Sequence, residues 1–125
     1  MKNVVDSSGW LEYVAGGPNA DVFAPAIAAL EDLVVPTLTV YEVYRRIVQQ
    51  RSEDDAIRTI AYMTQGELVD LDAGLALEAA RLGLAERLAM ADAIMLATAR
   101  SRGATLWTQD ADFAGVAGVE YVVKR

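Results

Sequence analysis

The sequence contains no cysteine and no histidine among its 125 residues. The absence of cysteine rules out disulfides and thiolate nucleophiles, and the two absences together remove the usual ligands of zinc. Serine–histidine triads and imidazole acid–base pairs are excluded as well. Any hydrolytic chemistry must therefore rest on carboxylates, hydroxyls, lysine or arginine. Carboxylates that hold a hard cation such as Mg²⁺ are the natural remaining choice.

Long apolar runs are also missing. No stretch approaches the roughly 18 apolar residues that a membrane-spanning helix needs, and residues 1–6 lack the apolar segment of a signal peptide. We therefore expect no membrane association and a cytoplasmic location. The composition, 54% hydrophobic and 23% charged, is that of a folded protein, and the length favours a single domain over residues 1–125.

Positive charge is scarce, because 11 lysine and arginine residues stand against 18 acids and give a net charge of −7. Taken alone, this balance argues against nucleic-acid binding, which usually shows as a basic surface. The argument weakens if several acids are clustered to hold metal, because a bound cation changes the local sign of charge.

Apolar runs alternate with helical segments along the whole chain. The runs predict five strands, over residues 2–5, 33–35, 67–71, 105–108 and 119–123. The other segments predict six helices, over residues 9–15, 20–30, 39–51, 54–64, 73–82 and 89–102. Because the strands are continuously apolar, we expect an α/β fold whose central, mainly parallel sheet of four to five strands is covered on both faces.

Four acidic residues fall near the carboxyl ends of the predicted strands. Asp6 follows the first strand, Glu42 lies in the first turn of the helix after the second, and Asp110 follows the fourth. Asp92 lies near the start of the helix that leads into the fourth strand. Ligands of parallel sheets bind beyond the carboxyl ends of the strands, so these positions are candidates for a site.

Each acid on its own also has a purely structural interpretation. Asp6 can cap the first helix, and Thr39 with Glu42 matches a capping box. Asp92 can be an N-cap if its helix begins late, and Asp110 can organise a turn. For any one of these acids, a cap or a turn explains the residue at least as well as a metal site does.

Asp92 fits the structural interpretation least well. It is the only polar side chain in residues 88–97, and the nearest basic residue, Arg87, lies five positions before it. A carboxylate in so apolar a segment is expected to be partly buried, and burial of an unpaired charge costs on the order of several kcal/mol. Converging carboxylates would also repel one another. A divalent cation relieves both penalties. One shared metal site is therefore an alternative to the four separate cap and turn interpretations.

Four blocks of the sequence resemble the PIN-domain family, and specifically the VapC toxins of prokaryotic toxin–antitoxin pairs. The blocks are VVDSS at 4–8, TVYEV at 39–43, ADAIMLATA at 91–99 and GATLWTQDADF at 103–113. Each block alone is a weak signal, but the four in this order and at these spacings are specific. The resemblance implies a PIN-like three-layer α/β/α sandwich.

The resemblance further implies a Mg²⁺ or Mn²⁺ site formed by catalytic acids that map onto Asp6, Glu42, Asp92 and Asp110. Asp6, Asp92 and Asp110 are the implied metal ligands. Glu42 is a further candidate ligand, and so is Asp112, which competes with Asp110 for the role of the fourth acid.

Two hydroxyls are implied to support this site. Thr108 resembles the family's strand-end hydroxyl, which hydrogen-bonds a carboxylate or a metal-bound water, and Ser7 is expected to act likewise. A turn or cap hydrogen bond is the alternative for both.

Family members cut RNA with one or two ions that activate water, and they leave a 5′-phosphate and a 3′-hydroxyl.

The substrate and the partners follow from the same resemblance. Arg45 and Arg46 lie one turn past Glu42 and are candidates to hold an RNA phosphate, with a solvated helix face as the alternative. VapC-type proteins pair as homodimers and bind a VapB antitoxin, which an acidic toxin surface suits. Four aromatic residues are candidate partner contacts, with core packing expected for at least two: Trp10, Tyr13, Tyr41 and Tyr44.

Three other functions compete with a metal-dependent endoribonuclease. A receiver-like phosphoacceptor domain has similar length and alternation, but it needs a late lysine, and no lysine occurs between Lys2 and Lys124. A catalytically silent PIN domain that only binds RNA or protein would be expected to have lost an acid, and this chain keeps all four. A DNA-cutting PIN-like enzyme is typically larger.

Overall fold

A computed structural model describes residues 1–125. Its five strands are β1 (Asn3–Val5), β2 (Leu33–Pro36), β3 (Glu67–Val69), β4 (Thr105–Thr108) and β5 (Val119–Tyr121). Its six α-helices are α1 (Ser7–Ala15), α2 (Ala20–Ala28), α3 (Thr37–Gln50), α4 (Glu53–Met63), α5 (Ala73–Glu86) and α6 (Met90–Ser101). Short 3-10 helices cover Leu30–Asp32 and Ala111–Phe113. No helix combines the length and the apolar composition needed to cross a bilayer.

The strands form one sheet in the order β3-β2-β1-β4-β5, and every neighbouring pair is parallel. The predicted α/β sandwich is confirmed, and its sheet is fully rather than mainly parallel. The central strand β1 pairs with β2 and β4, so the turn that follows it lies in the middle of the carboxyl edge. Receiver domains use the different order 2-1-3-4-5, which removes that alternative.

Alternating strand residues contribute their side chains to two hydrophobic cores, one on each face of the sheet. On one face, Val5 and Val35 pack with residues of α1–α4, including the buried Trp10. On the other face, Val4 and Val34 pack against residues of α6. Neighbouring side chains of a strand point to opposite faces, so continuously apolar strands require helices on both sides.

The first helix begins at Ser7, two residues earlier than the expected start at Gly9. The reason is Asp6, which caps the helix immediately after β1 by accepting a hydrogen bond from the Gly9 amide. Glycine is required at this position by close packing, because a Cβ there would lie 2.6 Å from Val5 Cγ1 and 2.9 Å from the Phe23 ring. The turn after β1 therefore lies tightly against the sheet.

The third helix begins at Thr37, directly after Pro36, which is its N-cap residue. Thr39 is therefore inside the helix, and its hydroxyl lies 3.2 Å from Met95 Sδ. The capping-box interpretation of Thr39 and Glu42 is wrong, because a capping threonine would have to precede the first helical residue.

The fifth helix continues to Glu86, four residues beyond the expected end at 82. Gly83, expected to open a connection, lies inside the helix and faces α6, where a Cβ would be 3.4 Å from Ala93 Cβ. A Cβ at that distance would make an ordinary van der Waals contact, so neither close packing nor backbone freedom requires glycine here. The helix ends instead at Arg87, which adopts a left-handed conformation with φ of 56°.

Only one of the four candidate contact aromatics is a core residue, although at least two were expected to be. Trp10 is buried, whereas Tyr13, Tyr41 and Tyr44 are exposed. Helical spacing alone did not reveal that α3 turns its two tyrosines outward, away from the sheet.

Candidate metal centre

Asp6 lies at the middle of the carboxyl edge and is both a helix cap and a member of the candidate site. Its Oδ1 accepts hydrogen bonds from the Gly9 amide at 3.0 Å and from Ser8 Oγ at 2.7 Å. Its Oδ2 accepts one from Thr108 Oγ1 at 2.5 Å. A carboxylate offers about four lone-pair positions, so Oδ2 retains capacity for one further partner.

Asp6 is only 5% exposed, and burial raises the pKa of its carboxyl above the usual value. Hydrogen bonds from Thr108, Ser8 and Gly9 act in the opposite direction and stabilise the ionised form. The negative charge of Asp110 raises the pKa further. Asp6 is therefore a buried acid that its own donors orient rigidly towards the other acids of this edge.

A compact triad of acids lies beside Asp6. One carboxylate oxygen from each of Asp92, Asp110 and Asp112 falls within 4.8 Å of the other two. Asp110 also accepts from the Asp112 amide at 2.9 Å, which fixes the turn that carries both. Asp92 is the third residue of α6 and caps nothing, since Ala89 is the N-cap residue. The tight group thus contains both Asp110 and Asp112, and it excludes Asp6.

The charge state of Asp92 reports the convergence of all five acids. The pKa of Asp92 is raised to about 6. Partial burial is the largest cause, and the negative charges of Asp110, Asp112, Asp6 and Glu42 contribute the rest, in that order. None of the five carboxylates forms a salt bridge with lysine or arginine. The edge therefore carries concentrated negative charge without a compensating cation from the protein.

Glu42 joins the group from the second turn of α3. Its Oε1 accepts a hydrogen bond from Ser7 Oγ at 2.5 Å, so a hydroxyl from the turn after β1 holds this acid in place. Glu42 also lines an open cavity of about 290 Å³ together with Arg45 and Arg46. Both arginines are exposed and lack an ion-pair partner.

The donor set fits a hard divalent cation. It consists of carboxylate oxygens with hydroxyls behind them, and Mg²⁺ and Mn²⁺ prefer oxygen ligands of this kind. Thr108 holds Asp6 from behind, and it accepts a hydrogen bond from the Asp110 amide at 2.9 Å. One hydroxyl therefore fixes the relative position of the two acids that follow β1 and β4.

A buried amide network behind the acids was missed by sequence analysis. Asn19 Nδ2 donates to Gln109 Oε1 at 3.0 Å and to the Val123 carbonyl at 3.1 Å. The backbone amide of Asn19 donates to Glu12 Oε2 at 2.7 Å, and Gln109 Nε2 lies 3.4 Å from Glu12 Oε1. Residues 18–19, proline and asparagine, are typical of a surface turn, and no local pattern marked Asn19 as buried.

The parallel sheet with a cluster of acids at its carboxyl edge defines a class of α/β protein, and a family model identifies that class. Residues 4–119 match the model of the PIN domain, and the chain belongs to the PIN-domain family. No curated protein sequence matches the chain.

Several solved structures share the fold. A toxin–antitoxin complex from Klebsiella pneumoniae aligns with a TM-score of 0.80 and 23% identity, over 95% of this chain and 96% of that chain. VapC20 from Mycobacterium tuberculosis, a toxin that cleaves the sarcin–ricin loop, aligns with a TM-score of 0.76 and 17% identity, over 93% and 95% of the two chains. VapBC2 from Rickettsia felis, bound to a promoter DNA fragment, aligns with a TM-score of 0.73 and 11% identity, over 97% and 98%.

Proposed function

We propose that this PIN domain is a Mg²⁺- or Mn²⁺-dependent endoribonuclease and the toxin of a VapBC-type toxin–antitoxin pair. Residues 1–125 act as one domain, in the cytoplasm where the RNA substrate is found. The observation that carries the proposal is the group of unpaired acids at the carboxyl edge, with Asp92, Asp110 and Asp112 within 4.8 Å of one another. The catalytically silent alternative lacks such support, because no acid of the set is missing.

The proposed chemistry divides the work among the acids. Asp92, Asp110 and Asp112 offer the converging oxygens that would hold the ion. Asp6 Oδ2, which retains capacity for one further partner, would be an additional ligand. Glu42, held by Ser7, completes the set from the α3 side. A divalent ion bound there supplies water activation and neutralises charge at the scissile phosphate. The protein supplies position, because hydrogen bonds from hydroxyls and amides fix the carboxylates of Asp6, Glu42 and Asp110 before any substrate arrives.

RNA is the proposed substrate class on two grounds. One structural relative is described as a toxin that cleaves the sarcin–ricin loop, and this chain shares its fold over nearly the whole length. The second ground lies on this chain, where exposed Arg45 and Arg46 share a cavity with Glu42. We propose that these arginines hold a phosphate next to the scissile one.

The direct test is cleavage of RNA by purified protein freed of any partner. We expect cleavage with Mg²⁺ or Mn²⁺, none with a chelator, and products that end in a 5′-phosphate and a 3′-hydroxyl. An Asp110→Asn variant should lose activity, because it removes the negative charge and one of the two carboxylate oxygens at the centre of the group. Asp72→Asn is the matched control, since it changes the charge equally at an exposed helix cap that asparagine serves as well.

Two results would contradict the proposal. Cleavage that persists in chelator would indicate a contaminating or metal-independent nuclease, and so would 2′,3′-cyclic phosphate ends. A folded protein that cuts no RNA with either metal, including total RNA of the source cell, would favour a binding role instead.

The antitoxin is the proposed protein partner. A net charge of −7 favours a partner with a basic segment. An apolar groove between α3 and α4, lined by Tyr41, Tyr44 and Val48, lies next to Arg45 and thus close to the acids. A partner segment in this groove could place a basic side chain among the unpaired carboxylates. One structural relative is a toxin–antitoxin complex.

Self-association is proposed through a second apolar groove, between α5 and α6. It has a volume of about 570 Å³ and includes Leu84 and Met90, which are 85% and 75% exposed. Exposed apolar surface of this kind marks a protein interface. We expect Leu84→Asp to convert a dimer to a monomer in analytical ultracentrifugation.

The control for this experiment is Leu77→Asp on the same helix. Leu77 is 68% exposed but does not line the groove. If both variants dissociate alike, or if the wild-type protein is a monomer at micromolar concentration, the groove is not the dimer interface.

A further inference from the structure

The segment that follows β5 is held against the end of β4. The Val122 amide donates to the Thr108 carbonyl at 2.9 Å, and Asn19 Nδ2 donates to the Val123 carbonyl at 3.1 Å. Asn19 is only 1% exposed, so this second hydrogen bond is anchored in the protein interior. Lys124, the next residue, therefore starts from a fixed backbone position although its side chain is exposed.

Lys124 shares an open cavity of about 440 Å³ with the candidate metal centre. Ser8 and Asp110 line the cavity on the side of the acids, and Tyr121 and Lys124 line it on the side of β5. Lys124 has no carboxylate within ion-pair distance, even though an acid lines the same cavity. Its charge is thus free to meet an anion that enters the cavity.

The strand order places cations on both sides of the acids. Along the carboxyl edge, Arg45 and Arg46 belong to the helix after β2, Asp6 follows β1, Asp110 follows β4, and Lys124 follows β5. The acidic centre therefore lies between two basic flanks in a chain that has a net charge of −7. A polyanion that crosses the acids would meet a positive charge before and after them.

We propose that Tyr121 and Lys124 form a second contact site for single-stranded RNA, on the side of the acids opposite Arg45 and Arg46. This inference rests on the proposed ribonuclease function. Lys124 holds a backbone phosphate, and Tyr121, half-buried in β5, offers its ring to a base. The combination of a cation that follows the backbone and an aromatic ring that stacks a base is typical of single-strand recognition.

The test measures binding of a fluorescent single-stranded RNA by anisotropy at several salt concentrations. The Asp92→Asn protein, used with Mg²⁺, serves as the background that binds without cutting. Adding Lys124→Gln should weaken binding about fivefold and reduce the slope of log K against log salt by about 0.7, the value for one lost phosphate contact. Adding Tyr121→Leu should weaken binding about fivefold with the slope unchanged, whereas Tyr121→Phe should bind normally.

Lys2→Gln is the matched control, because it removes the same charge at the opposite edge of the sheet, where Lys2 pairs only with exposed Glu67. If Lys124→Gln behaves like Lys2→Gln in both affinity and salt slope, the second contact site is overturned, while metal-dependent cleavage by the wild-type protein would leave the proposed function standing. If the wild-type protein cuts no RNA and the background variant binds none, the proposed function fails as well.

Discussion

Replacing Asp92 with asparagine is expected to reduce RNA cleavage by about a thousandfold or more and, at the same time, to stabilise the metal-free protein. Activity falls because an oxygen donor of the triad becomes an amide. Stability rises because Asp92 is half-buried among four other acids without a basic partner, so its ionisation at neutral pH opposes folding. The same side chain would thus be necessary for the chemistry and unfavourable for the fold.

The size of the stability change follows from the pKa of Asp92. A rise from 3.8 to about 6 corresponds to roughly 3 kcal/mol at most. Solvent screening reduces this to about 1–2 kcal/mol, because much of the carboxyl is exposed. Loss of a favourable charge in the first turn of α6 offsets about 0.5 kcal/mol. We expect Asp92→Asn to raise the free energy of unfolding at pH 7 by about 1 kcal/mol.

The dependence on pH gives a second, independent readout. A carboxyl whose folded-state pKa is raised contributes stability that is complete below pH 3.8 and is lost as the pH rises through about 6. The metal-free protein should therefore lose this contribution in urea titrations between pH 4 and pH 6.5, and Asp92→Asn should remove that part of the dependence. A variant less stable than wild type at pH 7, measured against Asp72→Asn, would show that the acids do not repel as described.

Replacing Asp6 with alanine is expected to have the opposite effect on stability, with a loss of about 3 kcal/mol. Asp6 accepts hydrogen bonds from the Gly9 amide, Ser8 Oγ and Thr108 Oγ1, and the Thr108 side chain is fully buried. Alanine would remove the cap of α1, worth about 1 kcal/mol. It would also leave buried donors unpaired, at about 1–3 kcal/mol each. Release of the buried charge offsets only part of this cost.

The experiment compares urea unfolding of Asp6→Ala with that of Asp72→Ala. Asp72 caps α5 through the Leu75 amide but is exposed, so its loss should cost only about 1 kcal/mol. Cleavage should disappear in Asp6→Ala and persist in Asp72→Ala. Equal destabilisation by the two variants would mean that Asp6 is merely a helix cap and that the hydrogen bond from Thr108 contributes nothing.

These two acids also show what the sequence could and could not predict. The strand ends were predictable, because short apolar runs followed by polar residues locate them, and the parallel sheet then brings Asp6, Asp92 and Asp110 to one edge. That Asp110 and Asp112 both belong to the tight triad, instead of competing for one place, was not predictable. Asp112 joins it because the turn after β4 is wound into a 3-10 helix by the Asp110 cap, which is a local geometry without periodicity.

The buried network around Asn19 escaped prediction for a different reason. Its hydrogen bonds join residues about a hundred positions apart, from Asn19 to Gln109 and to Val123. Such contacts leave no spacing pattern in one sequence, whereas strands and helices repeat every two or 3.6 residues. The early start of α1 has a local cause instead, since it depends on Asp6 being the residue that caps the helix.

The hydrogen bond from Thr108 to Asp6 joins residues separated by 102 positions, and β1 finds one of its two neighbours only in β4. Contacts of this range are formed slowly, because the loop between them must close before they stabilise anything. While the chain is being synthesised, the first hundred residues can include Asp6, Glu42 and Asp92 but neither Asp110 nor the strand that holds Asp6 in place. The acidic centre therefore cannot assemble before β4 and the turn that carries Asp110 have been synthesised.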